Sequence, residues 1–381
     1  MSQLLMFTTT FIIQFIIAME MNFIGPLAPF LSTYFNIKDS QVIYFNLGYA
    51  SVGLLVPLLG VWADRYGNKR IITYALLLFF AGSILGAFAP NPILFFLARI
   101  LIGLGYFSLS GTTMSYISEF IDYRKRGQAA GILRTAFGIA IFTSPLYTAA
   151  LTSRFDSLKG IYLPLSVLAL VALLLLRKLP ETEKVESSQL DVKEFVDLLK
   201  HPRTIKVLLS LFLVITAPTM FFNFLGLHLS STFNLNQNQI GLTYALISAG
   251  SILGILVATV YADKYGKLSF SRVFFGIMIF SLLPIAYGKS MIIVVVLAFI
   301  FAFGLDGGWT SYQAFCSEIY PKKRSTFLSL FYTINALTII LFSVIGPFLY
   351  DIGGLKLTTG VGFVSLILAS LLLFRLSRSP A

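Results

Sequence analysis

Four ionisable side chains, Glu20, Arg99, Arg134 and Asp306, stand inside long apolar runs of this sequence. A charge at the centre of a membrane-spanning helix costs roughly 2.5–3.5 kcal/mol on insertion scales. Such residues need a partner or a task. Burial sets how tightly a carboxyl holds its proton, so an acid exposed first to one side of a membrane and then to the other can carry protons across. Glu20 stands between Met19 and Met21-Asn22 and ahead of Pro26 and Pro29; it reads as a proton carrier or a contact for a cationic solute, or else as a buried structural acid. Asp306 lies about fifteen residues into its run, ~22 Å along a helix at ~1.5 Å per residue, too deep for a short side chain to reach water. Gly307 and Gly308 follow it and leave room beside the carboxylate for a solute or for another helix. Arg99 and Arg134 are each about six residues in, roughly 9 Å. Helical side chains lean toward their own N-terminus, so both arginines have a route to a membrane surface.

A second set of polar residues is repeated. Ala63-Asp64-Arg65-Tyr66-Gly67 returns almost unchanged as Ala262-Asp263-Lys264-Tyr265-Gly266 at an offset of 199, which also carries Gly105 onto Gly304 and Glu119 onto Glu318. A charged pentapeptide repeated at one spacing in an apolar chain implies two copies of one membrane-embedded unit. Gly60 permits close helix approach, and Gly67 permits a tight turn. Asp64 at a helix end can accept hydrogen bonds from a neighbouring helix N-terminus or pair with Arg124 or Arg126. Glu119 with Arg124, and Glu318 with Arg324, would complete two such contacts. These contacts can form in one conformation and break in another, which is what a latch requires. An ordinary basic loop is the plainer reading.

The elements that must position these residues are spans of a membrane. The chain has 381 residues, 57% hydrophobic and 12% charged, against ~25% charged in soluble domains. Runs such as Leu4–Ile17 with Ile24–Phe30, Ile71–Phe88, Tyr162–Leu176 and Ile292–Gly304 do not alternate as barrel strands would. Breaks near 36–41, 62–70, 90–92, 119–127, 152–159, 178–203, 229–238, 261–270, 288–290, 317–325 and 350–356 predict twelve helices. With the N-terminus inside, 21 of the 28 Lys and Arg fall on the cytoplasmic side, as the positive-inside rule expects. The net charge of +12 is thereby explained without nucleic acid. The first residues lack a basic n-region and a cleavage site, so the first span is expected to stay. Cys316 is the only cysteine, and His201 and His228 have no ligand spacing; no metal, disulfide or redox motif follows.

The polar stretch Pro180–Arg203 divides the chain into residues 1–178, a linker at 179–203 and residues 204–381. Within it Val192, Phe195, Val196 and Leu199 have helical spacing, giving either a short amphipathic helix on the inner membrane surface or a solvated tether. Six spans per half is an even number, so the halves are parallel repeats. Two such halves face each other across a cleft at mid-membrane.

The segment from Gly60 through Asp64, Arg65 and Gly67 to Lys69-Arg70 resembles the loop 2–3 signature of the major facilitator superfamily. Thr259 to Lys267 resembles a degraded copy, Arg99 with Gly103 and Gly105 the family's fourth-helix motif, and Glu20 the acidic place of its first-helix motif. The resemblance covers essentially the whole chain and implies an all-α membrane protein with twelve transmembrane helices in two parallel-repeat six-helix bundles. It implies a cytoplasmic gate built from Gly60, Asp64, Arg65, Gly67, Arg70, Glu119, Arg124, Asp263, Gly266, Glu318 and Arg324, which holds the outward-open state. It also implies a part for Arg99 in proton movement. The fifth-helix motif of many exporters is matched only at its proline: Ala140, Ser144-Pro145 and Thr148-Ala149 stand there, all but the proline small substitutes.

The expectation is therefore a monomeric carrier in the plasma membrane, both termini cytoplasmic, exporting a small amphipathic or apolar compound against protons and needing no cofactor. Its proton-coupling or substrate-binding residues would be Glu20, Asp306, Arg99 and Arg134. Uptake of a nutrient by the same fold is the alternative. An enzyme would need a nucleophile–base pair, a metal set or a phosphate loop, and a channel would not need duplicated latches. A scaffold would not need to bear the insertion cost of Glu20 and Asp306. The aromatic candidates for the cleft are Phe221-Phe222-Asn223-Phe224 and Trp309 with Tyr312, which read equally as packing groups.

Overall fold

The structure, a computed structural model, describes residues 3–121, 126–182, 192–320 and 323–376; the side chains of 60, 64, 126–130, 192, 194, 195, 324 and 325 are outside the description. Helices α1 (Gln3–Met21) and α2 (Ile24–Phe35) form the first span. The second comprises α3 (Phe45–Ser51) and α4 (Val56–Tyr66) with 3-10 turns at Asp39–Tyr44 and Val52–Leu55. Then come α5 (Asn68–Ala87), α6 (Pro92–Phe120), α7 (Arg126–Phe155) and α8 (Leu158–Arg177). After α9 (Val192–Lys200) follow α10 (Pro202–Phe233), α11 (Gln237–Tyr265), α12 (Lys267–Ile285), α13 (Met291–Ile319) and α14 (Arg324–Leu376).

Among the described residues eleven segments are long and apolar enough to cross a membrane, and the last runs over 51 residues. At ~1.5 Å per residue that is about 76 Å, more than twice a ~30 Å hydrocarbon core. It is broken at Gly354, whose φ of 59° and ψ of −152° turn the chain back. Two crossings result there, and the expected twelve are reached.

The first span is broken for a reason written in its sequence. Pro26 has no N–H to give the carbonyl of Asn22, and the helix tightens just before it: Asn22 N–H bonds Met19 O at 3.3 Å and Phe23 N–H bonds Glu20 O at 3.1 Å. The Asn22 side chain donates back to Ala18 O at 2.8 Å. Glu20 thus sits at the end of α1, beside backbone that lines a cavity, the setting in which membrane proteins tolerate broken helices.

The 199-residue repeat is structural as well as textual. Gly67 and Gly266 have φ of 91° and 85°, a region open to glycine and costly for other residues, and each turns one span straight into the next. Each half places a glycine of its fourth span against its third: a Cβ on Gly105 would meet Ala75 O and Phe79, and one on Gly304 would meet Phe274 O and Met278. Both first spans also end on a left-handed asparagine, Asn36 and Asn234, a common helix terminator.

The helices on either side of α9 meet through α2 with α10, α3 with α14 and α7 with α11. Gly25 and Gly226 let α2 and α10 approach until a Cβ on either would strike the other strand of backbone at Phe222 O or Gly25 O. Helix α9 forms where the spacing of Val192, Phe195, Val196 and Leu199 places it, but a different residue docks it. Leu198, 2% exposed, packs with Leu208 and Leu330, while Val196 and Leu199 are 45% and 43% exposed.

Candidate functional site

A cavity of about 250 Å³ lies where the two sets of helices meet. The break between α1 and α2 brings Asn22 to it, α3 brings Asn46, α10 brings Asn223, α11 brings Ser251 and α13 brings Asp306. Asn46 donates to the Asn223 side chain across the junction at 3.1 Å, and Asn223 Nδ2 is buried with no partner among the described residues. Asp306 interacts with the Ser251 side chain.

The cavity is shut at one end. There Lys38 pairs with Asp351 at 2.7 Å, Ser153 bonds Asn238 at 2.9 Å and Gln237 donates to Pro26 O at 2.8 Å. All three contacts join segments from opposite sides of α9. Toward the end that carries α9 and the repeated turns, Gly131, Arg134 and Thr135 of α7 are exposed. The polar contact described there between α7 and α13 is Arg134 to Gln313 Oε1 at 3.3 Å. Among the described residues the polar contacts across the junction are thus denser at the far end than at the linker end.

Glu20 and Arg99 are brought together. Their side chains are 0% and 1% exposed, and an Arg99 nitrogen donates to Glu20 Oε1. The Tyr162 hydroxyl donates to the same oxygen at 3.4 Å, and the guanidinium lies 4.8 Å from the centre of the Tyr49 ring. Glu20 Oε2 and Arg99 Nε have no partner among the described residues. Arg99 does not use the route to the surface that its depth allows; it pairs with the carboxylate that α1 presents to α6. Glu20 is accordingly not an acid without a cation, nor does it line the cavity; its neighbours Met21 and Asn22 do.

The repeated turns carry one contact in two chemistries. Asn68 donates to Glu119 at 2.5 Å; 199 residues later Lys267 pairs with Glu318 and, at 3.1 Å, with Asp263. Arg124, expected opposite Glu119, lies outside the described residues, as do the side chains of Asp64 and Arg324; Gly60 is placed only as backbone of α4. Arg65 and Arg70 are exposed, with Arg65 5.6 Å from the Tyr66 ring centre. Asn68 and Lys267 stand inside the two motif copies, but the motif gives them no role; the offset that relates Glu119 to Glu318 could have found both. Lys69 holds the start of the linker, donating to Leu179 O at 2.6 Å and pairing with Glu181 at 3.0 Å.

Comparison with known proteins places this architecture. The sequence model of the Major Facilitator Superfamily matches residues 10–227 and 207–381. The chain belongs to that family. It is 25% identical over 337 residues to a probable 4-methylmuconolactone transporter of Cupriavidus pinatubonensis, covering 83% of this chain and 76% of that one. It is 20% identical over 352 residues to Multidrug resistance protein 1 of Bacillus subtilis, covering 89% and 88%. The fold matches a bacterial homologue of the human lysosomal transporter Spinster, solved inward-facing and unoccupied, with a TM-score of 0.78, 16% identity and full coverage of both chains.

A facilitator of this family is a membrane transporter, not an enzyme, and needs no cofactor. Of the aromatic candidates for its cleft, Phe222 reaches the cavity with Asn223. Phe221 and Phe224 are fully buried, Trp309 packs on Phe331, and Tyr312 donates to Val207 O at 3.0 Å inside the second set of helices. Phe137 and Tyr244 line the cavity instead. Nothing in their local sequence separates them from packing aromatics.

Proposed function

We propose that this transporter works by alternating access and exports a small amphipathic or apolar compound in exchange for protons. The observation that carries the reading is the cavity between the two sets of helices, bridged by Lys38–Asp351, Ser153–Asn238 and Gln237–Pro26 at one end and, among the described polar contacts, by Arg134–Gln313 toward the other. Residues 1–178 and 204–381 would rock about the cavity, with 179–203 as the tether. The positive-inside bias makes the linker end cytoplasmic, both termini with it, in a plasma-membrane monomer. Asp64, Glu119, Asp263 and Glu318 then belong to the gate that closes when the far end opens.

Proton coupling is assigned to Glu20 with Arg99. A carboxylate held by a guanidinium releases its partner when protonated, and the pair adjoins cavity-lining residues, so protonation and solute occupancy can be linked. Multidrug resistance protein 1 as a relative supports export. The amides Asn22, Asn46 and Asn223 at the cavity favour a second reading, proton-coupled uptake of a small polar nutrient.

The test is solute-driven proton movement in proteoliposomes, followed with an internal pH dye. Protons moving opposite to solute, and no longer moving in Glu20→Gln, support the antiporter. Protons moving with solute select uptake. Solute exchange without any proton response removes the coupling.

A further inference from the structure

The cavity has a charge bias that transport alone does not explain. Among the described residues that line it, Asp306 is the only Asp, Glu, Lys, Arg or His. Glu20 is enclosed and already paired with Arg99. Arg134 stands at the cleft mouth on Gln313, outside the lining, and forms no ion pair with Asp306 among the described contacts.

The uncharged polar groups lean the same way. Asn22 spends one of its two amide N–H groups on Ala18 O, Asn46 spends one on Asn223, and Ser248 donates to Tyr244 O. Their remaining capacity is mostly oxygen. Phe137, Phe222 and Tyr244 add three aromatic rings to the wall. A carboxylate, amide oxygens and aromatic rings around one small cavity are groups that attract an ammonium, since the face of a ring is its negative side. An anion would meet the Asp306 carboxylate, and the amide N–H groups left on Asn22, Asn46 and Asn223 are neutral donors with no positive charge to offset that repulsion.

We propose, resting on the transport reading above, that the solute is a small organic cation whose ammonium head is countered by Asp306. Its apolar body lies against Phe137 and Phe222, and the Asn223 amide takes an acceptor oxygen where the solute has one. The cavity of about 250 Å³ falls just under the ~300–1,000 Å³ of pockets for drug-sized ligands, so the solute is compact.

Four probes with one apolar body and different heads test this: benzyltrimethylammonium, benzylamine, benzyl alcohol and benzoate. Each is titrated calorimetrically into the full-length protein in detergent. Both cations should bind about ten-fold or more tighter than the alcohol, roughly the effect of one good charge contact, and benzoate should not bind. In Asp306→Asn the cations should fall to the level of the alcohol. Equal binding of alcohol or benzoate, no binding by any probe, or an unchanged cation preference in Asp306→Asn overturns the proposal. The wild-type ranking stands as a test even if the variant does not fold. Counterflow in proteoliposomes separates the two readings: selective cation binding without counterflow overturns transport alone, and counterflow of benzoate overturns the cation alone.

Discussion

Glu20 on α1 and Arg99 on α6 form an ion pair, 79 residues apart in sequence, in which neither side chain reaches solvent. Removing one partner of such a pair strands a buried charge and costs roughly 3–5 kcal/mol, whereas replacing both by apolar groups is often neutral. Arg99→Met alone should therefore lower the thermal midpoint in detergent markedly, and Glu20→Leu with Arg99→Met should recover most of the loss. Equal losses in the single and the double variant would mean that the pair is not a unit. Glu20→Gln should also abolish uphill transport while leaving solute exchange.

Depth along a helix could not foretell that pairing. The sequence places Glu20 and Arg99 in separate spans and gives Arg99 a route to the surface; only the packing of α1 against α6 decides between lipid and carboxylate. The spans themselves were legible because a bilayer leaves little choice. Polar breaks at 62–70 and 261–270 contain the turns at Gly67 and Gly266, and the break at 350–356 contains Gly354. Contacts across the junction, such as Asn46 with Asn223, follow neither local periodicity nor the 199-residue offset and had no sequence signal.

The turns at Gly67 and Gly266 should tolerate no side chain. Backbone held at φ near +90° costs a non-glycine residue of order 1–3 kcal/mol, so Gly67→Ala and Gly266→Ala should each lower the thermal midpoint. An alanine variant as stable as the parent would show that the turn relaxes freely.

The duplicated contact predicts a different salt response in the two halves. Lys267 and Glu318 are partly exposed, and exposed ion pairs contribute about 0.2–1 kcal/mol and are screened by salt. The Asn68 to Glu119 bond joins an exposed carboxylate to a buried, uncharged amide, so it has no cation for salt to screen. Glu318→Gln should thus change turnover less at 0.5 M than at 0.05 M salt, screening falling steeply over that range, while Glu119→Gln should slow turnover alike at both. Matching salt profiles would place the two contacts in equivalent environments.

Lys38 and Asp351 close the far end across the junction of the two sets of helices, so weakening them should favour the state open at that end. The pair is exposed, and ~1 kcal/mol at most limits the shift in population to about five-fold. With the buried Cys316 replaced by serine and Asn223 by cysteine, a membrane-impermeant maleimide added from the far side should label faster in Asp351→Lys. The swap Lys38→Asp with Asp351→Lys should return labelling toward the parent rate, because it restores attraction without restoring the original residues. Faster labelling that persists in the swapped protein would assign the effect to helix packing at α14 and remove the ion pair from the gate.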